Sequence, residues 1–154
     1  LSSSTASAVY KRQIMSPLRP FHLAIVVHDL ELARDFYEGT LGCTTGRESK
    51  KWIDFNFFGH QLVTHLDASK RISEIANEVD GDRVPVPHFG IILKKEDWES
   101  LSQKLSGTNV NFIIKPRTRF KKNAGEQSIL FIEDPSGNAL EFKSFQNDSN
   151  IFKR

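Results

Sequence analysis

Two stretches of the chain, about 66 residues apart, follow the same plan, and this repeat constrains the fold more than any other feature. The run FHLAIVV (21–27) corresponds to HFGIIL (88–93), which sets His22 against His88 and Ile25 against Ile91. Both runs are short, apolar and rich in β-branched residues, as is typical of buried strands. An amphipathic helix pattern and further strand patterns follow each run. The repeat therefore predicts an α+β fold in which paired β-α-β-β-β modules form curved mixed sheets around a shared cavity.

The first module is expected within residues 20–67. Asp29 is a candidate helix N-cap, and the segment LELARDFYEGTLG (30–42) has helical periodicity that Gly39 can end. WIDFNFF (52–58) alternates as a strand, Gly59 turns the chain, and HQLVTHL (60–66) returns it. A short strand near 43–48 completes the module.

The second module is expected within residues 87–146, after a charged linker at 68–86 with room for a short helix. Its helix is KKEDWESLSQKLSG (94–107), and its strands are VNFIIKP (110–116), QSILFIEDP (127–135) and NALEFKSF (138–145). KPRTRFKKNAGEQ (115–127) is interpreted as a basic loop. The domain then spans residues 20–146, and residues 147–154 form a tail.

Composition excludes several classes of function. A net charge of +2 over 154 residues gives no reason to expect a nucleic-acid partner. No apolar run approaches the roughly 20 residues that a membrane helix needs. The single cysteine, Cys43, rules out an internal disulfide and is typical of a reducing compartment, so we expect a cytoplasmic location.

The N-terminal segment LSSSTASAVYKRQ is basic and has no acidic residue. Two interpretations stay open: sequence upstream of a natural start at Met15, or part of an organellar targeting segment, which would place the protein in an organellar matrix. In either case we expect residues 1–19 to lie outside the folded domain and to be poorly ordered.

Three candidate metal ligands stand on three predicted strands. His22 and His88 begin equivalent strands, so a pseudo-twofold relation between the modules would bring their side chains together, and Glu141 lies on the last strand. Two imidazoles and one carboxylate form a facial triad, which leaves about three positions of an octahedral cation open and suits Fe(II) or Mn(II) better than zinc. A histidine at a strand end is more often simply a hydrogen-bonded, half-buried residue.

Two motifs carry a family resemblance. VHDLELARDFYEGTLG (27–42) and DPSGNALEF (134–142) resemble the opening and closing motifs of the vicinal oxygen chelate superfamily, which includes glyoxalases, bleomycin-resistance proteins and extradiol dioxygenases. The resemblance implies that His22, His88 and Glu141 are metal ligands. It also implies a small-molecule substrate and, as in many members, a homodimer.

Glyoxalase I enzymes of this superfamily use a fourth ligand, a glutamate on the last strand of the first module. Matching Gly59 to Gly137 places Val63 at that position, and no acidic residue occurs in HQLVTHL. Such a site would have to recruit Gln61 or His65.

The three-ligand pattern is closer to extradiol dioxygenases, in which Fe(II) chelates a catechol-like substrate. We expect such an enzyme here, with Fe(II) as the first choice of metal and Mn, Ni or Zn as alternatives. His65, or else His60, would act as acid and base because histidine titrates near neutrality. These dioxygenases usually place a tyrosine near the iron, and the second module contains none.

Four further residues are candidates for substrate binding. Arg117 and Arg119 can bind a carboxylate or phosphonate bidentately, although such runs are more often solvated. Phe120 is a candidate lid, and Gln61 is the fourth candidate for substrate binding. Two alternatives to the dioxygenase stay open: a glyoxalase-like isomerase or an epoxide thiol transferase on the same scaffold, and a metal-free protein that sequesters a small aromatic molecule, as bleomycin-resistance proteins do.

Overall fold

A computed structural model describes residues 17–70 and 76–154; residues 1–16, which carry most of the predicted N-terminal segment, lie outside it. Module 1 contains β1 (His22–Val27), α1 (Leu30–Arg34), a π-helical segment (Asp35–Thr40), β2 (Thr44–Glu48), β3 (Trp52–Phe57) and β4 (His60–Leu66). A hairpin of β5 (Ala76–Val79) and β6 (Asp82–Pro85) follows. Module 2 contains β7 (His88–Ile92), α2 (Lys95–Ser106), β8 (Asn111–Arg119), β9 (Gln127–Glu133) and β10 (Ala139–Phe145), and a 3₁₀ turn (Asp148–Asn150) comes after it.

The two modules build equivalent four-stranded sheets, with strand orders β1-β4-β3-β2 and β7-β10-β9-β8. In each sheet the first strand pairs in parallel with the last. Ala24 lies beside Val63 in module 1, as Gly90 lies beside Glu141 in module 2. The predicted repeat and the α+β class are therefore confirmed. The alignment in which Val63 of module 1 is equivalent to Glu141 of module 2 is confirmed as well.

One apolar core joins the two modules. The side chains that alternate toward the helices, such as Val27 of β1 and Phe142 of β10, pack in it together with Tyr37 and Trp98. Trp98 also donates from Nε1 to the carbonyl oxygen of Phe142 at 2.9 Å. Because strand side chains alternate, the other face of each sheet is turned away from this core. We call it the outer face.

The turn before β10 fastens the modules together. The buried Tyr37 hydroxyl donates to Asp134 Oδ2 at 2.8 Å, and Asn138 Nδ2 donates both to Asp134 Oδ2 and to the carbonyl oxygen of Val26. On the same turn, Ser136 Oγ lies 2.9 Å from the backbone nitrogen of His28 and 2.7 Å from its Nδ1. Since the turn belongs to module 2 and it contacts Tyr37, Val26 and His28 of module 1, it acts as a clasp.

Three local predictions need correction. The first helix begins where expected, with Asp29 Oδ1 accepting from Leu32 N, but it continues as a π-helical segment to Thr40 rather than ending at Gly39. The stretch 68–86 contains a β-hairpin instead of a short helix in the part that is described. Strand β8 extends to Arg119, so Arg117 and Arg119 are strand residues held by pairing with β9 and not parts of a loop.

Candidate metal centre

Strands β7 and β10 bring His88 and Glu141 together on the outer face of module 2. His88 Nε2 lies 3.3 Å from Glu141 Oε2. The strands run unusually close here, because a Cβ on Gly90 would stand 1.6 Å from the carbonyl oxygen of Glu141. Glycine at position 90 is therefore required for this approach, and with it for the contact between the two candidate ligands.

The imidazole of His88 is oriented for binding through Nε2. Its Nδ1 lies 2.8 Å from the carbonyl oxygen of Pro85, and since a carbonyl only accepts, Nδ1 carries a proton. Metal-binding histidines are usually fixed in this way by a partner on the second ring nitrogen. The hydrogen bond with Glu141 raises the pKa of His88 above its ordinary value, despite the opposing effect of burial.

Glu141 is a buried carboxylate with an unsatisfied oxygen. Only 5% of the residue is exposed, and Oε1 has no hydrogen-bond partner. Lys143 Nζ lies 3.2 Å from Oε2, and Arg119 Nη1 lies 3.9 Å from Oε1. Burial acts to raise the pKa of Glu141, but the hydrogen bond with His88 and the charge of Lys143 outweigh it, so that the pKa is lowered. The carboxylate therefore stays ionised and has one oxygen free for a further partner.

The β5–β6 hairpin covers part of this outer face. Asp82 accepts from Arg117 Nη1 and Arg119 Nη2, each at 3.0 Å, and Asp80 Oδ2 lies 3.4 Å from Arg117 Nη2. Val84 of β6 belongs to a small apolar cluster with Phe131, the residue directly opposite Glu141. Arg119 is 4% exposed and its Nε has no hydrogen-bond partner. A fixed cation thus lies beside the carboxylate.

His22 lies on the outer face of module 1. Gln61 Nε2 donates to Asp54 Oδ2 at 3.3 Å, which turns the amide oxygen of Gln61 toward His22 Nδ1 at 2.8 Å. His22 Nδ1 is therefore the donor, and Nε2 keeps its lone pair. Within residues 17–70 and 76–154, however, no three His, Cys, Asp or Glu side chains form a group that could hold a metal ion. The expected triad is therefore not assembled within a single chain.

The physical reason is the way the modules pack. A triad within one chain would require both outer faces to enclose one cavity. Instead the helix-facing sides of the two sheets share the core, as Val27 and Phe142 illustrate, and each outer face is left outside it. His22, Ala24 and Val26 are consequently all exposed.

The donor set nevertheless fits a divalent cation in part. His88 offers Nε2, and Glu141 offers an ionised carboxylate with an unpartnered oxygen. His22 offers a third donor, an imidazole nitrogen, on the outer face of module 1. Two imidazoles with one carboxylate suit a first-row metal that accepts mixed nitrogen and oxygen ligands. One chain supplies two of these donors at one place.

The other predicted site residues fall into different positions. His60 faces the core side of β4, where its Nδ1 accepts from Phe21 N at 2.8 Å and its ring lines an apolar cavity of about 340 Å³. His65 shares the outer face with His22 but pairs with Val26, four residues from Gln61, which is roughly 13 Å along the strand. Neither histidine lies next to His88 and Glu141.

The two arginines and Phe120 also lie at different places in the structure. Arg117 is engaged by Asp80 and Asp82 on the hairpin, whereas Arg119 reaches Glu141. Phe120 is partly exposed, and its backbone nitrogen lies 3.3 Å from Asp80 Oδ2, so it stands at the rim of the hairpin.

Sequence reasoning missed Lys143, Asp82 and the requirement for Gly90. Lys143 was within reach, because residues two apart on a strand share a face and Lys143 follows Glu141 by two. Asp82 was not, since nothing in the sequence indicates that the hairpin folds back over β8. The demand on Gly90 depends on the spacing of two strands that are distant in sequence.

Comparison with known proteins agrees with this architecture. Residues 19–142 match the family model of the glyoxalase/bleomycin resistance protein/dioxygenase superfamily. The chain therefore belongs to this superfamily, which includes many enzymes and also non-enzymes, and whose members often bind divalent metals. The comparison with curated proteins yields no match.

Solved structures show the same fold. A glyoxalase/bleomycin resistance protein/dioxygenase from Alicyclobacillus acidocaldarius is 34% identical, with a TM-score of 0.76 over 90% of this chain and 99% of that one. The fosfomycin resistance protein FosX from Listeria monocytogenes is 13% identical, with a TM-score of 0.62 over 89% and 99%. An integron cassette protein from V. cholerae is 19% identical, with a TM-score of 0.57 over 86% and 98%. In the described residues, no helix has both the length and the apolar character that a membrane crossing requires.

Proposed function

We propose that this chain is a metal-dependent enzyme that acts on a small anionic substrate, with His88, Glu141 and His22 as the metal ligands. The observation that carries the proposal is the His88–Glu141 pair, in which one imidazole is fixed through Nδ1 and one buried carboxylate oxygen is unpartnered. A carboxylate oxygen is rarely left in this state without a reason. A divalent cation would bind such an ionised carboxylate together with His88 Nε2, and would polarise the oxygens of a bound substrate.

The proposed site is shared between two copies of the chain. His22 lies on an exposed outer face, and it is not grouped with His88 and Glu141 within one chain. A homodimer that placed module 1 of one copy against module 2 of the other would bring the third donor to the pair. A twofold arrangement would create two such sites from one kind of contact.

The surroundings of Glu141 favour an anionic substrate. Arg119, held by Asp82, and Lys143 lie on either side of the carboxylate. Without a metal, the three positive charges of Arg117, Arg119 and Lys143 balance the three negative charges of Glu141, Asp80 and Asp82. A divalent cation would add two positive charges, which a chelating phosphonate dianion would offset in full and a carboxylate in part. We therefore favour Lewis-acid chemistry without a redox step, such as addition to an epoxide or an isomerisation.

An extradiol dioxygenase is the second candidate. Val63, at the position where a fourth ligand would stand, leaves a three-donor set with open positions, which Fe(II) oxygen chemistry requires. The position of His65 counts against this candidate. An acid or base must come within hydrogen-bond reach of the reacting atom, whereas His65 lies roughly 13 Å along β4 from Gln61, the residue paired with His22. Fe(II) or Mn(II) suits the donor set in both candidates, with Ni and Zn as alternatives.

Metal analysis after purification without chelator tests the metal proposal. We expect a bound divalent metal that is lost in His88→Ala and Glu141→Gln. Glu133→Gln on the neighbouring strand β9 makes the same chemical change away from the pair and serves as the control. A metal-free wild type that still binds small ligands equally well in Glu141→Gln would instead indicate the metal-free sequestering protein.

Mixing two inactive variants tests the shared site. His22→Ala damages module 1 and Glu141→Gln damages module 2, so a mixed dimer would keep one intact site. With free subunit exchange, about a quarter of the wild-type metal content should return. His65→Ala, on the same face as His22, should bind metal normally. A monomeric protein, or no recovery on mixing, would remove the shared site.

Two assays separate the reactions. Oxygen uptake with a panel of catechols after anaerobic loading with Fe(II) would establish the dioxygenase. Consumption of fosfomycin, with water or a thiol as the second reactant and without oxygen uptake, would establish the Lewis-acid reaction.

A further inference from the structure

Lys143 contacts the same carboxylate oxygen as the candidate ligand His88. Its Nζ lies 3.2 Å from Glu141 Oε2, while His88 Nε2 lies 3.3 Å from that oxygen. The contact follows from the strand, because Glu141 and Lys143 are two residues apart on β10 and share its outer face. The carboxylate oxygen that His88 contacts is therefore already paired with an ammonium group.

Of the two cations beside Glu141, Lys143 is the one that can leave. Arg119 has a side chain that is 5% exposed and a hydrogen bond to Asp82 at 3.0 Å, whereas the side chain of Lys143 is 29% exposed. The lysine stem is flexible and its ammonium is readily hydrated. A divalent cation and an ammonium on one oxygen repel each other, so the more mobile charge gives way.

We infer that Lys143 is an exchangeable counter-ion: it neutralises Glu141 in the metal-free protein, leaves it when a metal binds, and then pairs with an anionic group of the substrate. This inference rests on the proposed function. It assigns Lys143 two effects of opposite sign, since the lysine competes with the metal for Glu141 but assists the anion that binds afterwards. Such a lysine would make the loaded site select carboxylate or phosphonate ligands over neutral ones of the same shape.

Lys143→Met tests the first effect, because methionine keeps much of the length of the stem and removes the charge. We expect Mn(II) or Zn(II) to bind about fivefold more tightly than to wild type, which corresponds to the loss of one partly exposed ion pair. The measurement is titration calorimetry or competition with a chromogenic chelator. Lys143→Arg keeps the charge and should bind metal no more tightly than wild type. Lys115→Met, on β8 and two strands away from β10, controls for the change in net charge.

Oxalate binding to the metal-loaded proteins tests the second effect. We expect about fivefold weaker binding of this small dianion to Lys143→Met than to wild type, again the size of one ion pair. Opposite signs in the two titrations support the exchange. If Lys143 merely held Glu141 in place, Lys143→Met would weaken metal binding, and the inference would be overturned. Tighter metal with unchanged oxalate binding would overturn the pairing with substrate.

The same titrations separate this inference from the proposed function. Wild type that binds metal and loses it in His88→Ala, with Lys143→Met no tighter, overturns the exchange and leaves the metal enzyme standing. Metal bound by Lys143→Met but not by wild type supports the competition and removes the metal enzyme for the native chain. Binding by neither protein overturns both.

Discussion

The two modules have the same strand order and the same pairing of first and last strands, yet only one of them carries a prepared ligand pair. In module 1, Ala24 lies beside Val63 on the outer face, and in module 2 Gly90 lies beside Glu141 at the equivalent position. The β5–β6 hairpin covers part of the outer face of module 2 at β8 and β9, while the equivalent first strands β1 and β7 both expose their outer-face residues.

Different residues therefore specify the scaffold and the chemistry of the two modules. Strand pairing and the shared core fix the backbone of both modules, and a few outer-face substitutions decide which one becomes a site. Glu141 is tolerated in its buried position because His88, Lys143 and Arg119 surround it. Module 1 contributes a single fixed imidazole, His22, on an open face.

The largest effect is expected from Gly90→Ala. The added Cβ would meet the carbonyl oxygen of Glu141 at 1.6 Å, and that atom belongs to a paired strand that cannot move alone. Overpacking of this kind costs about 3 kcal/mol of unfolding free energy or more. The reciprocal change in module 1, Ala24→Gly, should cost about 1 kcal/mol or less. Urea unfolding of both variants measures the asymmetry, and equal losses would show that the modules are spaced alike at this point.

The next effect concerns the clasp between the modules. Tyr37→Phe removes the hydroxyl that donates to Asp134 at 2.8 Å in a buried position. A hydrogen bond to a charged acceptor contributes about 2 kcal/mol, so we expect a loss of that order in unfolding free energy. Thr40→Val, at an exposed hydroxyl near the end of the same helical segment, is the control and should change stability little. A loss in Tyr37→Phe no larger than the control's would mean that the clasp does not hold the modules together.

The contacts of the clasp are an example of what the sequence does not predict. The repeat predicted both sheets, and with them the strand that carries Glu141. The clasp's contacts with Tyr37 and Val26 in the other module join residues about 100 positions apart, and no local pattern specifies such pairs. For the same reason the alternation of β1 predicted which face His22 takes, but not that this face would lie apart from His88.

A smaller effect should appear as a pH dependence of stability that comes from the His88–Glu141 pair of module 2. The pKa of His88 is raised above its ordinary 6.5, so its pairing stabilises the fold below that pH and is lost as pH rises through the raised value. The pKa of Glu141 is lowered from 4.5, so its contribution is present above 4.5 and is lost as pH falls through the lowered value. The metal-free pair therefore contributes most between these ordinary values.

The difference in unfolding free energy between wild type and Glu141→Gln, measured with chelator present, reports this contribution. It should be larger near pH 5.5 than near pH 8.5, by about 1 kcal/mol or less because His88 is partly exposed. A difference that grows toward pH 8.5 would contradict the pairing. Because metal binding displaces the proton from His88, metal affinity should rise with pH over the same range.

The smallest effect concerns the β5–β6 hairpin, which covers part of the outer face of module 2. Arg117 joins β8 to the hairpin through Asp80 and Asp82, with 39% of its side chain exposed. Removing such a pair costs about 0.5 kcal/mol, so Arg117→Met should speed amide exchange in residues 76–85 about twofold and leave metal affinity unchanged. Arg47→Met is the matched control in module 1, where Arg47 lies 3.8 Å from Asp54 and is 83% exposed. Faster exchange in the hairpin in both variants would point to net charge as the cause. If Arg117→Met alone changes the hairpin but also weakens metal binding, then the cover is part of the site, because the ion pairs of Arg117 and Arg119 meet on the same Asp82 carboxylate.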